Sequence, residues 1–208
     1  LYQIIAGTVN RLLPRRLSVV IGVFLVFLLL NFIYTGVLTK TFFAVANQMF
    51  STADVKISPK FKQPTSELLS GSSASLVTWE SMGKQGRKFV ATAPSGASIT
   101  AVTKEESKDP IRIYAGVQSA DSIDARADLV LQELIRTKAF ERKSLLLVTT
   151  TGSGWIDGKS VEPFEYMNNG NTAVVGVQYS YLPSWISLLA DQSKVKDTSS
   201  TVFTKVYD

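Results

Sequence analysis

The sequence predicts an α/β protein with an N-terminal transmembrane helix followed by a partial parallel sheet. Three observations lead to this fold class. A long uncharged apolar run lies near the start of the 208-residue chain, strands alternate with helical segments after residue 110, and the segment at residues 144–150 is continuously apolar. A continuous apolar strand is typical of a parallel sheet that helices cover on both faces.

The apolar run, LSVVIGVFLVFLLLNFIYTGVL, covers residues 17–38 and has no charged side chain. A helix of this length spans roughly 33 Å, about the thickness of a bilayer core. Three arginines at residues 11–16 favour a cytoplasmic start and an extracytoplasmic remainder. A signal peptide cleaved near AVA, residues 44–46, is the alternative, but the run is too long for one. We therefore predict a membrane segment over residues 1–50, in the plasma membrane.

Residues 51–109 are rich in Ser, Gly, Pro and Lys and contain only short apolar pieces. This composition predicts a loop-rich connector with short strands at best. Within it, GKQGRKF at residues 83–89 is predicted to be a solvated basic turn that can touch lipid phosphates.

Residues 110–208 alternate strands with helices, as right-handed βαβ units do. Strands are predicted at residues 111–117, 144–150 and 172–181. Asp121 or Ser122 is predicted to cap a helix that ends near Lys138. Its apolar face comprises Ala127, Val130, Leu131, Leu134 and Ile135. Later helical segments are predicted at residues 160–169, 182–195 and 197–208.

Two residue types are missing from the sequence, and their absence limits the chemistry. The chain has no Cys and no His, so it holds neither a disulfide nor a complete Ser-His-Asp triad. We expect no metal and no cofactor. The formal charge of +5 suits an anionic membrane surface better than a nucleic-acid groove, and no nucleic-acid module is recognisable. We therefore expect membrane lipid, and no nucleic acid, as a partner.

The stretch LLLVTTTGSGWID, residues 145–157, is predicted to be a buried strand that runs into a glycine-rich loop. The loop lacks the lysine of a P-loop and the third glycine of a dinucleotide fingerprint. A nucleophile elbow around Ser153 would need glycines where Thr151 and Trp155 stand. Two interpretations stay open: backbone N–H groups that stabilise an oxyanion, or a tight turn that needs glycine for a positive φ. Spacing alone favours the turn.

Three aromatic side chains follow the next predicted strand, within QYSYLPSW: Tyr179, Tyr181 and Trp185. They can line an apolar pocket at the strand end, although aromatic residues at such positions more often belong to the core.

Several stretches resemble one known family: SGSSASLVTWESMGKQGRKF, PIRIYAGVQSAD, TTTGSGWID and FEYMNNGNTAVVGVQYSYLPSWISLL. They are similar to the actinobacterial membrane-anchored α/β-hydrolase-like family, in which several membrane helices precede an α/β-hydrolase domain. The resemblance implies that residues 110–208 are the N-terminal portion of such a domain. It also implies that the chain stops before the nucleophile elbow, so no catalytic triad residue lies within it.

The resemblance implies a membrane-anchored serine hydrolase or acyltransferase that acts on cell-envelope lipids or lipid-linked esters. The oxyanion-side loop would comprise Gly152, Ser153, Gly154 and Trp155, and the three aromatic residues would border an acyl pocket. The alternative is a non-catalytic membrane accessory subunit with a degenerate hydrolase-like domain in a larger complex, because a half sheet leaves an unpaired edge after the strand ending at Val177. Phosphate or nucleotide binding at the loop is the least favoured interpretation, since the motifs for it fail.

Overall fold

A computed structural model describes residues 15–190 and 192–208 of the chain. The first part of the predicted membrane segment, residues 1–14, therefore lies outside the described residues. The chain divides into two compact units, Leu1–Gln48 and Met49–Asp208, and each is described by itself.

The first unit contains helix α1, Arg15–Thr35, and most of helix α2, Val37–Val55. The predicted transmembrane run of residues 17–38 is thus divided between two helices by a turn at Gly36, a residue type that lowers helix propensity. Among the described residues, no helix is both long and apolar enough to cross a membrane, so the predicted span is not found there. Helix α1 nevertheless exposes many apolar side chains, among them Val20, Val23, Phe24, Phe27, Leu30 and Phe32.

The predicted connector contains two helices, α3 at Gly83–Ala91 and α4 at Gly96–Thr103, where we expected short strands at best. The expectation for the basic turn was also wrong, because GKQGRKF forms most of α3. This helix is amphipathic: Phe89 and Val90 are buried, and Arg87 is only 2% exposed. The lysines lie on the outer face, so the run of charges concealed an apolar face at helical spacing.

The second unit is built on a three-stranded parallel sheet, which confirms the predicted α/β class. Its strands are β1 (Ile111–Ala115), β2 (Ser144–Thr149) and β3 (Thr172–Val177). The helices that follow them are α5 (Ile123–Arg136), α6 (Gly158–Met167), α7 (Ser184–Ala190) and α8 (Ser193–Tyr207).

The strand order is β1-β3-β2, so the last strand in sequence lies in the middle. The unpaired edge that we expected after Val177 is therefore not on β3. The outer edge of β1 is partly covered, because Arg112 exchanges backbone hydrogen bonds with Leu68 and Ser70 (3.3 and 3.0 Å). The outer edge of β2 has no partner strand within residues 15–190 and 192–208. Its residues are half-buried rather than fully covered as predicted.

Two apolar layers cover the sheet. Helices α5 and α8 pack on one face, and α3, α6 and the segment around Trp79 pack on the other. The predicted cap of α5 is confirmed, since the Ser122 hydroxyl accepts from the Ala125 N–H at 3.0 Å. The predicted apolar face is confirmed for Ala127, Val130 and Leu134 but is wrong for Ile135, which is 61% exposed.

Glu133, the neighbour of Leu134 in α5, is a fully buried carboxylate. It accepts hydrogen bonds from the Ser75 hydroxyl (2.9 Å), the Leu76 N–H (2.8 Å) and Arg136 Nε (2.8 Å). Glu133 thereby ties the connector to the helix. A buried carboxylate is tolerated here because both of its oxygens accept hydrogen bonds.

Replacing Glu133 with alanine is expected to lower the free energy of unfolding by about 2–3 kcal/mol, since the Leu76 N–H and Arg136 lose their buried acceptor. Urea unfolding followed by circular dichroism measures the change. Gln132→Ala, on the exposed side of the same helix, is the control and should stay within about 0.5 kcal/mol of the wild type. Equal effects of the two substitutions would contradict the prediction.

Candidate active site

The candidate site lies at the carboxyl ends of the three strands, where open parallel sheets bind ligands. Three loops meet there: residues 116–119 after β1, 150–157 after β2, and 178–183 after β3. The central position of β3 brings the loops that follow β1 and β2 to either side of the loop that follows β3.

The glycine loop after β2 is a compact turn closed by Thr151. Its carbonyl accepts from the Gly154 N–H at 2.8 Å, and its hydroxyl accepts from the Trp155 N–H at 3.0 Å. Its own N–H donates to the Trp155 carbonyl at 3.2 Å. Gly154 has a φ of 84°, the positive value that the tight-turn interpretation requires.

Of the four residues predicted to form the oxyanion-side loop, one keeps a backbone N–H that is a candidate donor for an oxyanion. The Gly152 N–H is engaged by the Ser184 hydroxyl at 3.1 Å, and the N–H groups of Gly154 and Trp155 are used within the turn. The Ser153 N–H has no acceptor among the described residues, and Ser153 is half-buried. Of the predicted oxyanion-side loop, only the Ser153 N–H is therefore free to donate to a ligand.

Gln178 joins the three loops, and sequence reasoning did not single it out. Its side chain is 1% exposed, and its Nε2 donates to the carbonyls of Ser153 (3.2 Å) and Ser180 (2.9 Å). Its Oε1 accepts from the Val117 N–H at 3.4 Å. One signal in the sequence could have indicated this role. A polar residue directly after six apolar or small strand residues is expected to be buried, and a buried amide needs hydrogen-bond partners.

Tyr114 holds the glycine loop through a hydrogen bond from within the sheet. This residue lies in β1 and is fully buried, and its hydroxyl donates to the Gly154 carbonyl at 2.8 Å. Burial, followed by the charge of Asp54, raises the pKa of Tyr114 well above its usual value. The phenol therefore keeps its proton and remains a donor. Within an apolar strand sequence, Tyr114 was indistinguishable from a core residue.

The three predicted pocket aromatics do not share one cavity. Tyr179 is 7% exposed and lines a cavity of about 440 Å³ between β2, β3 and α8, together with Leu147, Val177, Val202 and Phe203. Tyr181 is half-buried. Burial raises its pKa and the charge of Asp54 adds to that rise, while a hydrogen bond with Gln118 and the charge of Arg126 act in the opposite direction. Trp185 is 65% exposed on α7.

The site has acceptors and donors but no complete catalytic machinery. The Ser153 hydroxyl lies 3.4 Å from the Thr151 hydroxyl, which is not a base at neutral pH. No group of three or more acidic side chains that could hold a metal ion occurs in the part of the chain that the structure describes. The arrangement can orient a carbonyl oxygen through a backbone N–H.

A parallel sheet covered on both faces, with a glycine turn at a carboxyl end, is the architecture of an α/β domain, a class in which ligands bind at the strand ends. Residues 111–208 match the model of an alpha/beta-hydrolase family, and residues 1–94 match the model of an alpha/beta-hydrolase family N-terminus. The chain therefore belongs to an α/β-hydrolase family. No curated protein and no solved structure matches the chain significantly.

Proposed function

We propose that the protein is a serine hydrolase or acyltransferase whose nucleophile and base lie in polypeptide beyond Asp208. The observation that carries the proposal is the half-buried Ser153 N–H, which has no acceptor among the described residues, at the carboxyl end of β2 in a chain of the α/β-hydrolase family. In this role the N–H donates to the oxygen of the tetrahedral intermediate.

The open edge of β2 supports a nucleophile arriving from further polypeptide. A strand that follows α8 and continues the sheet in parallel would pair with this edge, by the right-handed crossover rule. Its carboxyl end would then emerge beside Gly152–Trp155, where a serine can face the Ser153 N–H.

The proposed substrates are esters with apolar acyl chains, such as lipids or lipid-linked esters of the cell envelope. Support comes from the apolar lining of the 440 Å³ cavity, which includes Tyr179 and Phe203. Association with the plasma membrane is part of the proposal, because α1 exposes a dense set of aliphatic and aromatic side chains.

A non-catalytic accessory subunit is the second candidate. The open edge of β2 favours it equally, because an unpaired strand edge can be covered by another chain instead of by a following strand.

A fluorophosphonate probe distinguishes the two candidates when it is applied to the protein as produced from its gene. We expect stoichiometric labelling at a serine outside residues 1–208, located by peptide mass spectrometry. Ser153→Ala should keep the labelling, because the Ser153 side chain is not the nucleophile. Label on Ser153 itself would contradict our assignment, and no label together with a tightly bound partner protein would favour the accessory subunit.

A further inference from the structure

An acidic residue from outside the sheet, Asp54, reaches the site. It lies on the last turn of α2, and its carboxylate oxygens accept hydrogen bonds from Gln178, in the loop after β3, and from the start of α3. Oδ2 accepts from Gln178 Nε2 at 3.2 Å, and Oδ1 accepts from the Lys84 N–H at 2.9 Å. Asp54 is therefore one bonding step from the carbonyl of Ser153, because the same Gln178 nitrogen also donates to that carbonyl.

The Gln178 amide makes this link specific. Its Nε2 carries two hydrogens but faces three acceptors: Asp54 Oδ2, the Ser153 carbonyl and the Ser180 carbonyl. One hydrogen is therefore shared between two acceptors, and the pull of Asp54 Oδ2 helps to set the direction in which the amide faces the two carbonyls. The Ser153 carbonyl and the Gly154 carbonyl, which Tyr114 holds, together limit rotation of the glycine loop. The direction of the free Ser153 N–H depends on these two anchors.

The surroundings of Asp54 keep its carboxylate at the site without neutralising it directly. The Arg87 guanidinium donates to the backbone carbonyls of Asp54 (2.8 Å), Val55 (3.3 Å) and Lys56 (2.9 Å) rather than to the carboxylate. Arg87 thus fixes the end of α2. Gly83, with a φ of 70°, leaves the space that the carboxylate occupies, since a methyl group there would overlap Asp54 Oδ2.

The carboxylate lowers the stability of the fold. Burial raises the pKa of Asp54 above its ordinary value of 3.8, although the Lys84 N–H, Gln178 and the charges of Arg87 and Lys84 act in the opposite direction. Glu80 faces Arg87, and Tyr114 and Tyr181 face Asp54 itself. Because the folded pKa is raised, protonation favours folding: this contribution is complete below about pH 3.8 and is lost as the pH rises through the folded pKa. A partly buried carboxylate whose charge lowers the stability of the fold is typical of a functional site.

We propose that Asp54 is a positioning residue of the active site, which holds the glycine loop in place through Gln178. The inference rests on the proposed hydrolase function. It assigns a part of the site to the end of α2, which precedes the sheet in the chain, so that Asp54 contributes to the geometry of the reaction.

The test uses Asp54→Asn in the protein as produced from its gene. An asparagine has one side-chain acceptor and cannot satisfy both the Lys84 N–H and Gln178 Nε2. With a chromogenic ester, we expect kcat to fall about 10–100-fold and KM to change by less than about threefold. The thermal midpoint should change little, because removal of the partly buried charge offsets the loss of one hydrogen bond. Amide exchange at residues 153–155 should accelerate about fivefold or more.

Glu80→Gln is the matched control, because it removes a negative charge that faces Arg87 but does not touch Gln178. It should leave kcat and loop exchange unchanged. Unchanged loop exchange in Asp54→Asn would overturn the inference whether or not the protein is an enzyme, as would unchanged kcat in an active protein. Loss of kcat together with a lowered thermal midpoint would also overturn it, because Asp54 would then be structural. If the wild type neither hydrolyses the ester nor reacts with the fluorophosphonate probe, the hydrolase proposal is refuted instead. Amide exchange at residues 153–155, compared between the wild type and Asp54→Asn, then still shows whether Asp54 holds the glycine loop.

Discussion

Replacing Glu165 with glutamine is expected to lower the free energy of unfolding by about 3–5 kcal/mol. Glu165 accepts two hydrogen bonds from Arg112, at Nε (2.8 Å) and at the terminal nitrogen (2.7 Å), and both side chains are fully buried. The guanidinium also donates to the Phe89 carbonyl and lies 4.7 Å from the centre of that ring. Glutamine removes the charge, so a buried cation loses its counter-ion. Urea denaturation with a circular-dichroism readout measures the effect.

Two further variants show whether the loss comes from the unpaired charge. Glu162→Gln lies on the same helix and is only half-buried, so it should change stability by less than about 0.5 kcal/mol. The double replacement Arg112→Met with Glu165→Leu should recover most of the stability, because apolar residues of similar volume need no counter-ion. A double variant as unstable as Glu165→Gln alone would contradict this explanation.

Gly154→Ala is expected to have the largest effect on activity, a loss of kcat/KM of about 100-fold or more. Gly154 has a φ of 84°, a value that costs a residue with a Cβ about 1–2 kcal/mol. The added methyl group would also overlap the Tyr114 hydroxyl and lie 2.9 Å from Gln178 Cγ. The Tyr114 and Gln178 side chains, which hold the glycine loop, would therefore move, and the Ser153 N–H would move with them. Ester hydrolysis by the protein as produced from its gene measures the loss.

Gly158→Ala is the control for this substitution. Gly158 begins α6, has no positive φ, and an added methyl group would meet only the flexible end of Glu162 at 3.2 Å. This variant should keep its activity within about threefold of the wild type. Similar activities of the two alanine variants would show that the loop does not need the geometry seen at Gly154.

Short-range patterns in the sequence predicted most of the strands and helices of residues 110–208. The Ser122 cap, the apolar periodicity of α5 and the apolar runs of β2 and β3 each reflect forces that act within a few residues. The predicted first strand extended two residues too far. The third extended into a loop, because the aromatic residues Tyr179 and Tyr181 favour a strand by composition although the strand ends at Val177.

The amphipathic helix α3 shows where composition misleads. Its positive charges predicted a solvated turn, but Arg87 is buried because it caps the carbonyl groups at the end of α2. Such a partner is about 30 residues away in sequence and leaves no local pattern. The same reason explains the burial of Glu133, because its donors in the connector are 58 and 57 positions away along the chain.

The sequence by itself determined that residues 110–208 form alternating strands and helices and that a glycine turn ends β2, because hydrophobic period, caps and positive φ are local properties. It also excluded a complete histidine triad in this chain. The tertiary structure was needed for the order β1-β3-β2, for the pairing of Arg112 with Glu165 across 53 positions, and for the contact of Asp54 with Gln178 across 124. These features depend on which distant surfaces close on one another, since a buried charge or amide finds its partner in space and not along the chain.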